Sequence, residues 1–228
     1  ERSFRGPTIF SKMMHLHPIE QAAAQAVRNR RAFIARVMNE TRAQHPANSR
    51  LRVLSVACGP AREMCDVLQS PEDAQGYDIT LLDQDPHAIA EAKEEVQEAE
   101  KRIGTAARIR FVLQSVRTML QSSPLRQEGQ RFDLIYSMGL FDYLTEPVAR
   151  AVLNELFELL APGGQLIVGN FHPRNKTRIY MEYWADWTLI YRDENELRGL
   201  VDGFANITCE IENEPSGCQC FLRIRRTT

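Results

Sequence analysis

Short apolar segments alternate with helical patterns between residues 51 and 171, and this alternation limits the folds that the chain can adopt. Five segments read as strands: "LRVLSVA", "YDITLLDQD", "RIRFVLQSV", "RFDLIYSMG" and "QLIVGNF". Three intervening segments read as helices: "AREMCDVLQS", "PHAIAEAKEEVQEAEKRI" and "EPVARAVLNELFELL", the last ended by Pro162-Gly163-Gly164. Strands that alternate with helices favour a parallel sheet with helices on both faces.

The two ends of the chain depart from this alternation. Near the C-terminus, "ITCEIENEPSGCQCFLRIRR" predicts two strands around a turn containing Pro215, Ser216 and Gly217, a hairpin that adds antiparallel pairing at the sheet edge. Near the N-terminus, residues 18–44 predict one long helix with an apolar stripe. We therefore expect a helical lid segment over residues 1–49 and an α/β domain over residues 50–228.

The composition excludes several classes of partner. The net charge of -2 gives no electrostatic reason for binding nucleic acid, and no segment has the ~20 apolar residues that a membrane span needs. The five cysteines form no C-x-x-C pair, and the histidines lack metal-ligand spacing. These features predict free thiols, a cytoplasmic location and no metal. They leave the choice between a monomer and a homodimer open.

The turn after the first strand contains a single glycine, Gly59, between Cys58 and Pro60. Dinucleotide-binding turns carry three glycines so that the backbone can approach a diphosphate. Asp83 ends the second strand. Its distance along the chain from Gly59 is close to the ~20-residue interval at which a carboxylate binds a ribose. The pattern therefore predicts a nucleoside site and disfavours a nicotinamide oxidoreductase.

Five motifs in this order resemble the class I S-adenosylmethionine-dependent methyltransferases. They are "VLSVACGPARE", "LLDQDP", "LQSV", "FDLIYSMGLFDYL" and "LLAPGGQLIVGNFHP". The resemblance implies an α/β, Rossmann-like doubly wound seven-stranded sheet with a C-terminal antiparallel hairpin. It also implies S-adenosyl-L-methionine as cofactor. The chain departs from the usual D-x-G-x-G turn, because Ser55 replaces the acidic residue.

A narrower similarity, through "GLFDYL" and "MEYWADWTLIYR", is to a bacterial group linked to methyl-ester formation on 3-hydroxy fatty acids. It implies a carboxylate or hydroxyl of a lipid-like or natural-product acceptor. Two alternatives stay open: an N-methyltransferase, and a catalytically degenerate cofactor sensor or partner subunit.

The resemblance implies cofactor contacts at the ends of the first four strands. The residues are Ala57, Cys58, Gly59, Pro60, Asp83, Gln84, Gln114, Ser115, Val116, Ser137, Met138 and Gly139. Asp83 would bind the ribose, and Ser137 to Gly139 would lie beneath the methionine part of the cofactor. Cys58 is interpreted as a small apolar residue and not as a nucleophile.

We expect the acceptor site beside the fourth and fifth strands. His172 is the candidate base for a hydroxyl acceptor, and Tyr143 a candidate catalytic residue. The predicted acceptor contacts are Asp142, Phe171, Arg178, Tyr180, Trp184, Trp187 and Tyr191. Arg178 or Arg192 would pair with an acceptor carboxylate. Each of these residues also has a purely structural interpretation, as a core aromatic, a surface arginine or a structural histidine.

Overall fold

The computed structural model describes residues 6–121 and 124–227, and its centre is a seven-stranded sheet. The strands are β1 (Leu51–Val56), β2 (Tyr77–Asp83), β3 (Ile109–Leu113), β4 (Phe132–Ser137), β5 (Leu160–Phe171), β6 (Ile207–Asn213) and β7 (Gln219–Arg226). Their order is β3-β2-β1-β4-β5-β7-β6. β1 to β5 are parallel, and β7 pairs antiparallel with both β5 and β6. The predicted fold class and C-terminal hairpin are confirmed.

Ten α-helices lie in the described ranges. They are α1 (Ile9–Glu20), α2 (Ala22–Gln44), α3 (Met64–Val67), α4 (Pro71–Gly76), α5 (Pro86–Ile103), α6 (Val116–Gln121), α7 (Pro124–Gln127), α8 (Glu146–Glu158), α9 (Arg178–Trp184) and α10 (Glu194–Gly199). The two ends of α5 illustrate how local residues determine where a helix begins and ends. Asp85 caps its first turn by accepting from the backbone N–H of His87, and Gly104 ends it in the left-handed conformation, with φ 73°.

The sheet separates two hydrophobic cores. One face packs against α8 through Val152, Leu153 and Leu156. The other face packs against α2, α3 and α5. Since β1, β2 and β4 are covered on both faces, their side chains are almost continuously apolar, as in other buried parallel sheets. The carboxyl ends of β1 to β4 meet along one edge.

The prediction of one helix over residues 18–44 is wrong at its start. The chain forms two helices, because Gln21 is extended, with φ -64° and ψ 151°, between α1 and α2. α1 begins at a capping box formed by Thr8 and Ser11, a signal present in the sequence, and it contains Pro18 in its last turn. Residues 1–5 of the predicted lid segment lie outside the described residues.

α2 is part of the core, whereas α1 has no buried residue. α2 buries Phe33, Ile34, Val37 and Met38 in the same cluster as β1 and β2, and the ring of Phe33 stacks on Phe221 with centroids 4.0 Å apart. The predicted domain boundary at residue 49 stays a prediction. The packing of α2 nevertheless shows that this helix is continuous with the body of the fold.

Two predicted helix ends also differ from the structure. The helix predicted over residues 61–70 is only α3, because Ala61 has φ 49° and Ser70 caps a separate helix, α4, that begins at Pro71. α8 ends at Glu158, before Pro162-Gly163-Gly164, and these three residues lie in β5 where its register with β4 shifts. The Pro162-Gly163-Gly164 segment, which was predicted to end a helix, thus forms a bulge in β5.

None of the helices in residues 6–121 and 124–227 has the length and apolarity required to cross a bilayer. The expected cytoplasmic location stays a prediction.

The burial of α2 predicts a large stability difference between two equivalent substitutions. Ile34→Ala removes a side chain that is 1% exposed, and we expect it to lower the free energy of unfolding by about 2–5 kcal/mol. Ile9→Ala makes the same chemical change at a side chain that is 81% exposed in α1, and should change it by less than about 0.5 kcal/mol. Urea denaturation measures both. Equal effects would show that α2 does not support the core.

Candidate active site

The turn between β1 and α3 places three residues in the left-handed region of backbone conformation. Ala57, Gly59 and Ala61 have φ values of 53°, 55° and 49°. A side chain at Gly59 would meet no atom within 4 Å, so the backbone there faces open space. Left-handed conformations are rare for residues with a side chain and are frequent at ligand-binding turns. The turn thus exposes its backbone to a ligand at the carboxyl edge of the sheet.

Asp83 at the end of β2 holds this turn in place. Its Oδ2 accepts from the backbone N–H of Gly59 at 2.8 Å, and its Oδ1 accepts from the N–H of Asp85 at 3.0 Å. The residue is only 9% exposed. Because a carboxylate has about four acceptor positions, two of them remain for the hydroxyl groups of a ligand.

A cavity of about 410 Å³ opens beside Asp83. Its lining is formed by Ala57, Leu82, Asp83, Gln84, Gln114, Val116, Arg117, Leu120, Leu140, Tyr143, Leu144 and Val148. Gln114 contributes a buried Nε2 that has no hydrogen-bond partner, an N–H donor that a ligand acceptor atom would satisfy. Ser115 lines a shallower depression next to it, where its hydroxyl accepts from the backbone N–H of Thr118. Six of the predicted cofactor and catalytic residues therefore line one cavity.

The residues at the end of β4 make protein contacts that the sequence did not predict. Ser137 is fully buried, and its hydroxyl donates to the carbonyl of Val56, so this side chain joins β4 to β1. The carbonyl of Met138 accepts from Nη1 of Arg30 at 3.1 Å. A side chain at Gly139 would lie 3.2 Å from Nη2 of Arg30. Arg30 thus lies over the end of β4, a position that no motif in the sequence indicated.

Three ionisable side chains, Arg30, Asp142 and Glu63, surround the end of β4. Burial lowers the pKa of Arg30, while the nearby carboxylates of Asp142 and Glu63 oppose that shift. Burial raises the pKa of Asp142 to about 6, although its Oδ1 accepts from the N–H of Phe171 and Arg30 lies nearby. Burial also raises the pKa of Glu63, whose Oε1 accepts from the hydroxyl of Tyr136 at 2.6 Å. Arg30 is therefore near both carboxylates, while Arg31 also acts on Glu63 and Arg192 on Asp142.

His172 is held by structural contacts on both sides of its ring, and its role as a base stays a prediction. Its Nε2 lies 3.0 Å from Oε2 of Glu194, and its Nδ1 accepts from the backbone N–H of Arg174. Arg174 also pairs with Glu194. Both ring nitrogens are therefore engaged, and His172 does not line the cavity beside Asp83.

The two arginines predicted to meet a carboxylate are also engaged elsewhere. The buried guanidinium of Arg192 donates to the carbonyls of Phe141 and Leu144 and to Oδ1 of Asn170. Arg178 pairs with Glu182 and stacks over the ring of Tyr191, 4.4 Å from its centroid. Neither is aimed at the end of β4 as Arg30 is.

The predicted aromatic residues divide into core and exposed members. Phe171 is fully buried, with its ring centroid 5.8 Å from that of Trp187. Tyr143 lines the cavity, is 54% exposed, and its hydroxyl accepts from Nε1 of Trp187 at 2.7 Å. The rings of Tyr180 and Trp184 stack at 6.3 Å, and Trp184 is exposed. Tyr143 is thus the aromatic residue that joins the cavity to this segment.

Cys58 and Pro60 are half-buried in the turn. Burial raises the pKa of the Cys58 thiol to about 12, which leaves it protonated and a poor nucleophile at neutral pH. In the ranges 6–121 and 124–227, no three His, Cys, Asp or Glu residues cluster closely enough to hold a metal ion.

Comparison with known proteins places this geometry in a family. Residues 53–164 match the family model described as a methyltransferase domain. No match was found among curated proteins. Three solved structures share the fold at low identity. A possible exported protein from Bordetella parapertussis has a TM-score of 0.69 at 16% identity, and the match covers 100% of this chain and 76% of that one.

The other two structures are methyltransferases. An N-methyltransferase from Bradyrhizobium japonicum has a TM-score of 0.59 at 18% identity over 90% of this chain and 98% of its own. The magnesium protoporphyrin IX methyltransferase from Synechocystis, with bound S-adenosylhomocysteine, has a TM-score of 0.60 at 16% identity over 98% of this chain and 90% of its own. The match over residues 53–164, the sheet order and the Gly59–Asp83 turn together show a methyltransferase domain in the class I methyltransferase fold, with S-adenosylmethionine as cofactor.

Proposed function

We propose that the protein transfers a methyl group to an oxygen of a small-molecule acceptor, as a methyl ester or ether of a lipid-like or natural-product compound. The observation that carries this proposal is the position of Tyr143. This residue lines the cavity beside Asp83 and connects through its hydroxyl to Trp187 in the aromatic segment. An acceptor that reaches Tyr143 from the aromatic segment would meet the cofactor cavity there.

The residues of the cavity fit the cofactor. Asp83 has free acceptor positions for ribose hydroxyls, and the unpartnered Nε2 of Gln114 is a donor for a ring nitrogen of adenine. The open backbone at Gly59 admits a close ligand. The bound cofactor would supply a methyl group on a positively charged sulfur, a good leaving group. The protein is then required mainly to align the acceptor and to exclude water.

A carboxylate acceptor suits the groups at this site better than a hydroxyl acceptor. A hydroxyl needs a base within hydrogen-bond reach, and both ring nitrogens of His172 are engaged. Asp142 is buried and accepts from the N–H of Phe171. A carboxylate is already ionised at neutral pH and needs only to be oriented. The hydroxyl of Tyr143 accepts from Trp187 and keeps its own O–H proton for donation to such an oxygen.

The lipid-like character of the acceptor is supported by exposed apolar side chains on α1 and α9. They are Ile9, Phe10, Met13, Ile179 and Trp184. The two helices meet where the rings of His17 and Tyr180 lie 5.2 Å apart, edge to face. Exposed apolar side chains on neighbouring elements are found at binding surfaces. We assign the apolar part of the acceptor to this surface.

The cofactor assignment predicts that Asp83→Ala weakens binding of S-adenosylhomocysteine, the demethylated product. The substitution removes the ribose acceptor and releases Gly59, so we expect a loss of about 1–3 kcal/mol in calorimetric titration. Asp78→Ala is the matched control, because Asp78 lies in the same strand and pairs with Arg108 outside the cavity. NAD should bind neither protein. Unchanged affinity in Asp83→Ala would remove the ribose assignment.

The acceptor assignment predicts which product forms when the protein and S-adenosylmethionine are incubated with a long-chain fatty acid, or with the alcohol or amine of the same chain length. We expect mass spectrometry to find the methyl ester, formed at a rate that does not rise between neutral and mildly alkaline pH. An N-methylamine alone would favour the N-methyltransferase alternative. Binding of S-adenosylhomocysteine with no product from any acceptor would favour a cofactor sensor.

Tyr143→Phe tests the proposed orienting role. Loss of the hydroxyl should lower kcat/KM for the fatty acid about tenfold, the effect of about one hydrogen bond to a charged group, while affinity for S-adenosylhomocysteine is retained. Tyr77→Phe is the control, since the Tyr77 hydroxyl donates to Asn39 at the opposite edge of the sheet. Equal kcat/KM values for the two variants would contradict the role of Tyr143.

A further inference from the structure

The turn after β1 lacks the carboxylate that the D-x-G-x-G motif places in that strand. Ser55 stands at this position and is buried, with 1% of its surface exposed. A serine hydroxyl carries no charge, so it cannot balance the ammonium group of an amino acid. A ligand that ends in an α-amino acid therefore needs a carboxylate from another part of this chain.

Glu63 is a carboxylate that follows the turn in sequence and contacts the α2 face of the sheet through Tyr136. It lies two positions after Ala61, and its Oε1 is held by the hydroxyl of Tyr136, which belongs to the same core cluster as α2. The other oxygen, Oε2, accepts from no further residue in the described part of the chain, and Glu63 is half-buried. A fixed carboxylate with one free oxygen is suited to an ammonium group.

Arg30 provides the opposite charge a short distance away. It interacts electrostatically with Glu63 and Asp142 but forms a direct ion pair with neither among the described residues. Among residues 6–121 and 124–227, the only hydrogen-bond acceptor for its guanidinium is the carbonyl of Met138, which accepts from Nη1. The remaining N–H groups of a guanidinium form a fork that matches a carboxylate.

Glu63 and Arg30 lie in the direction in which a substituent would extend from a nucleoside bound beside Asp83. The cavity holding Gln114 and Asp83 lies over β3 and β2, and β1 and β4 are the next strands in the sheet. A substituent on the 5′ carbon of the ribose would cross the open backbone at Gly59 and reach the end of β4, where Arg30 lies. Arg30 at Met138 and Glu63 at Tyr136 thus lie toward the strand end that this substituent would approach.

We propose that Glu63 and Arg30 bind the two charges of the methionine end of the cofactor, Glu63 the α-ammonium group and Arg30 the α-carboxylate. Tyr136 is a positioning residue that holds Glu63. This inference rests on the identification of the cofactor. Burial raises the pKa of Glu63, although the hydroxyl of Tyr136 and the charges of Arg31 and Arg30 oppose that shift. An ammonium group from the ligand would add a further positive charge beside this carboxylate.

Calorimetry with two ligands tests the proposal. S-adenosylhomocysteine carries the amino-acid end, and 5′-methylthioadenosine has the same nucleoside without it. We expect Glu63→Gln and Arg30→Met each to weaken S-adenosylhomocysteine about tenfold or more, while 5′-methylthioadenosine changes less than about twofold. Tyr136→Phe should weaken only S-adenosylhomocysteine, by a smaller factor. A purely structural role of Tyr136 would weaken both ligands alike.

Matched controls are available on the same chain. Arg36→Met changes an exposed arginine of α2 that pairs with Glu40 and Glu212, and Glu72→Gln changes an exposed glutamate of α4. Both should bind the two ligands as the unmodified protein does.

Three results would overturn the proposal. Equal losses for both ligands in Glu63→Gln would mean that Glu63 only supports the turn. Unchanged affinity for S-adenosylhomocysteine in Arg30→Met, with a raised KM for the acceptor, would assign Arg30 to the acceptor carboxylate. If the unmodified protein bound 5′-methylthioadenosine and S-adenosylhomocysteine equally, there would be no site for the amino-acid end. Failure to bind either ligand would instead refute the cofactor assignment itself.

Discussion

The hydrogen bond from the backbone of Gly59 to Asp83 is the interaction on which the site depends. It joins the turn after β1 to the end of β2 and so fixes an exposed backbone beside a buried carboxylate. The parallel sheet makes this possible, because the carboxyl ends of adjacent strands meet at one edge. Once the turn is fixed, Ala57, Gln114 and Tyr143 enclose a single cavity.

Local patterns were sufficient to predict the sheet and several of the residues that line the cavity. Strand periodicity gave β1 to β5, and turn residues gave the hairpin of β6 and β7. Gly59 and Asp83 could be paired from their spacing because both lie at strand ends, where topology determines proximity. The break at Gln21 and the bulge at Pro162–Gly164 could not be predicted, because both depend on how neighbouring elements pack.

The charged residues around β4 were beyond prediction for a different reason. Arg30 is 108 positions away from Met138, and Glu63 is 73 positions away from Tyr136, so no spacing in the sequence relates them. Arg30 is one of several arginines in α2, and nothing in the sequence separates it from the others. His172 illustrates the opposite case, in which position in the sequence does not show the contacts of the side chain. Its position after β5 favoured catalysis, but Glu194 and Arg174 engage its ring.

The location of Arg30 on α2 has a thermodynamic consequence. The same helix buries Phe33 and Ile34 in the core and holds a cation over β4. Whatever anion binds that cation binds only the state in which α2 is docked, so occupancy and docking form a linked equilibrium. Amide hydrogen exchange in α2 should therefore slow on ligand binding, even though most of the helix never touches the ligand. Hydrogen exchange in α2, the helix that the sequence predicted as part of a lid, would therefore report whether the site is occupied.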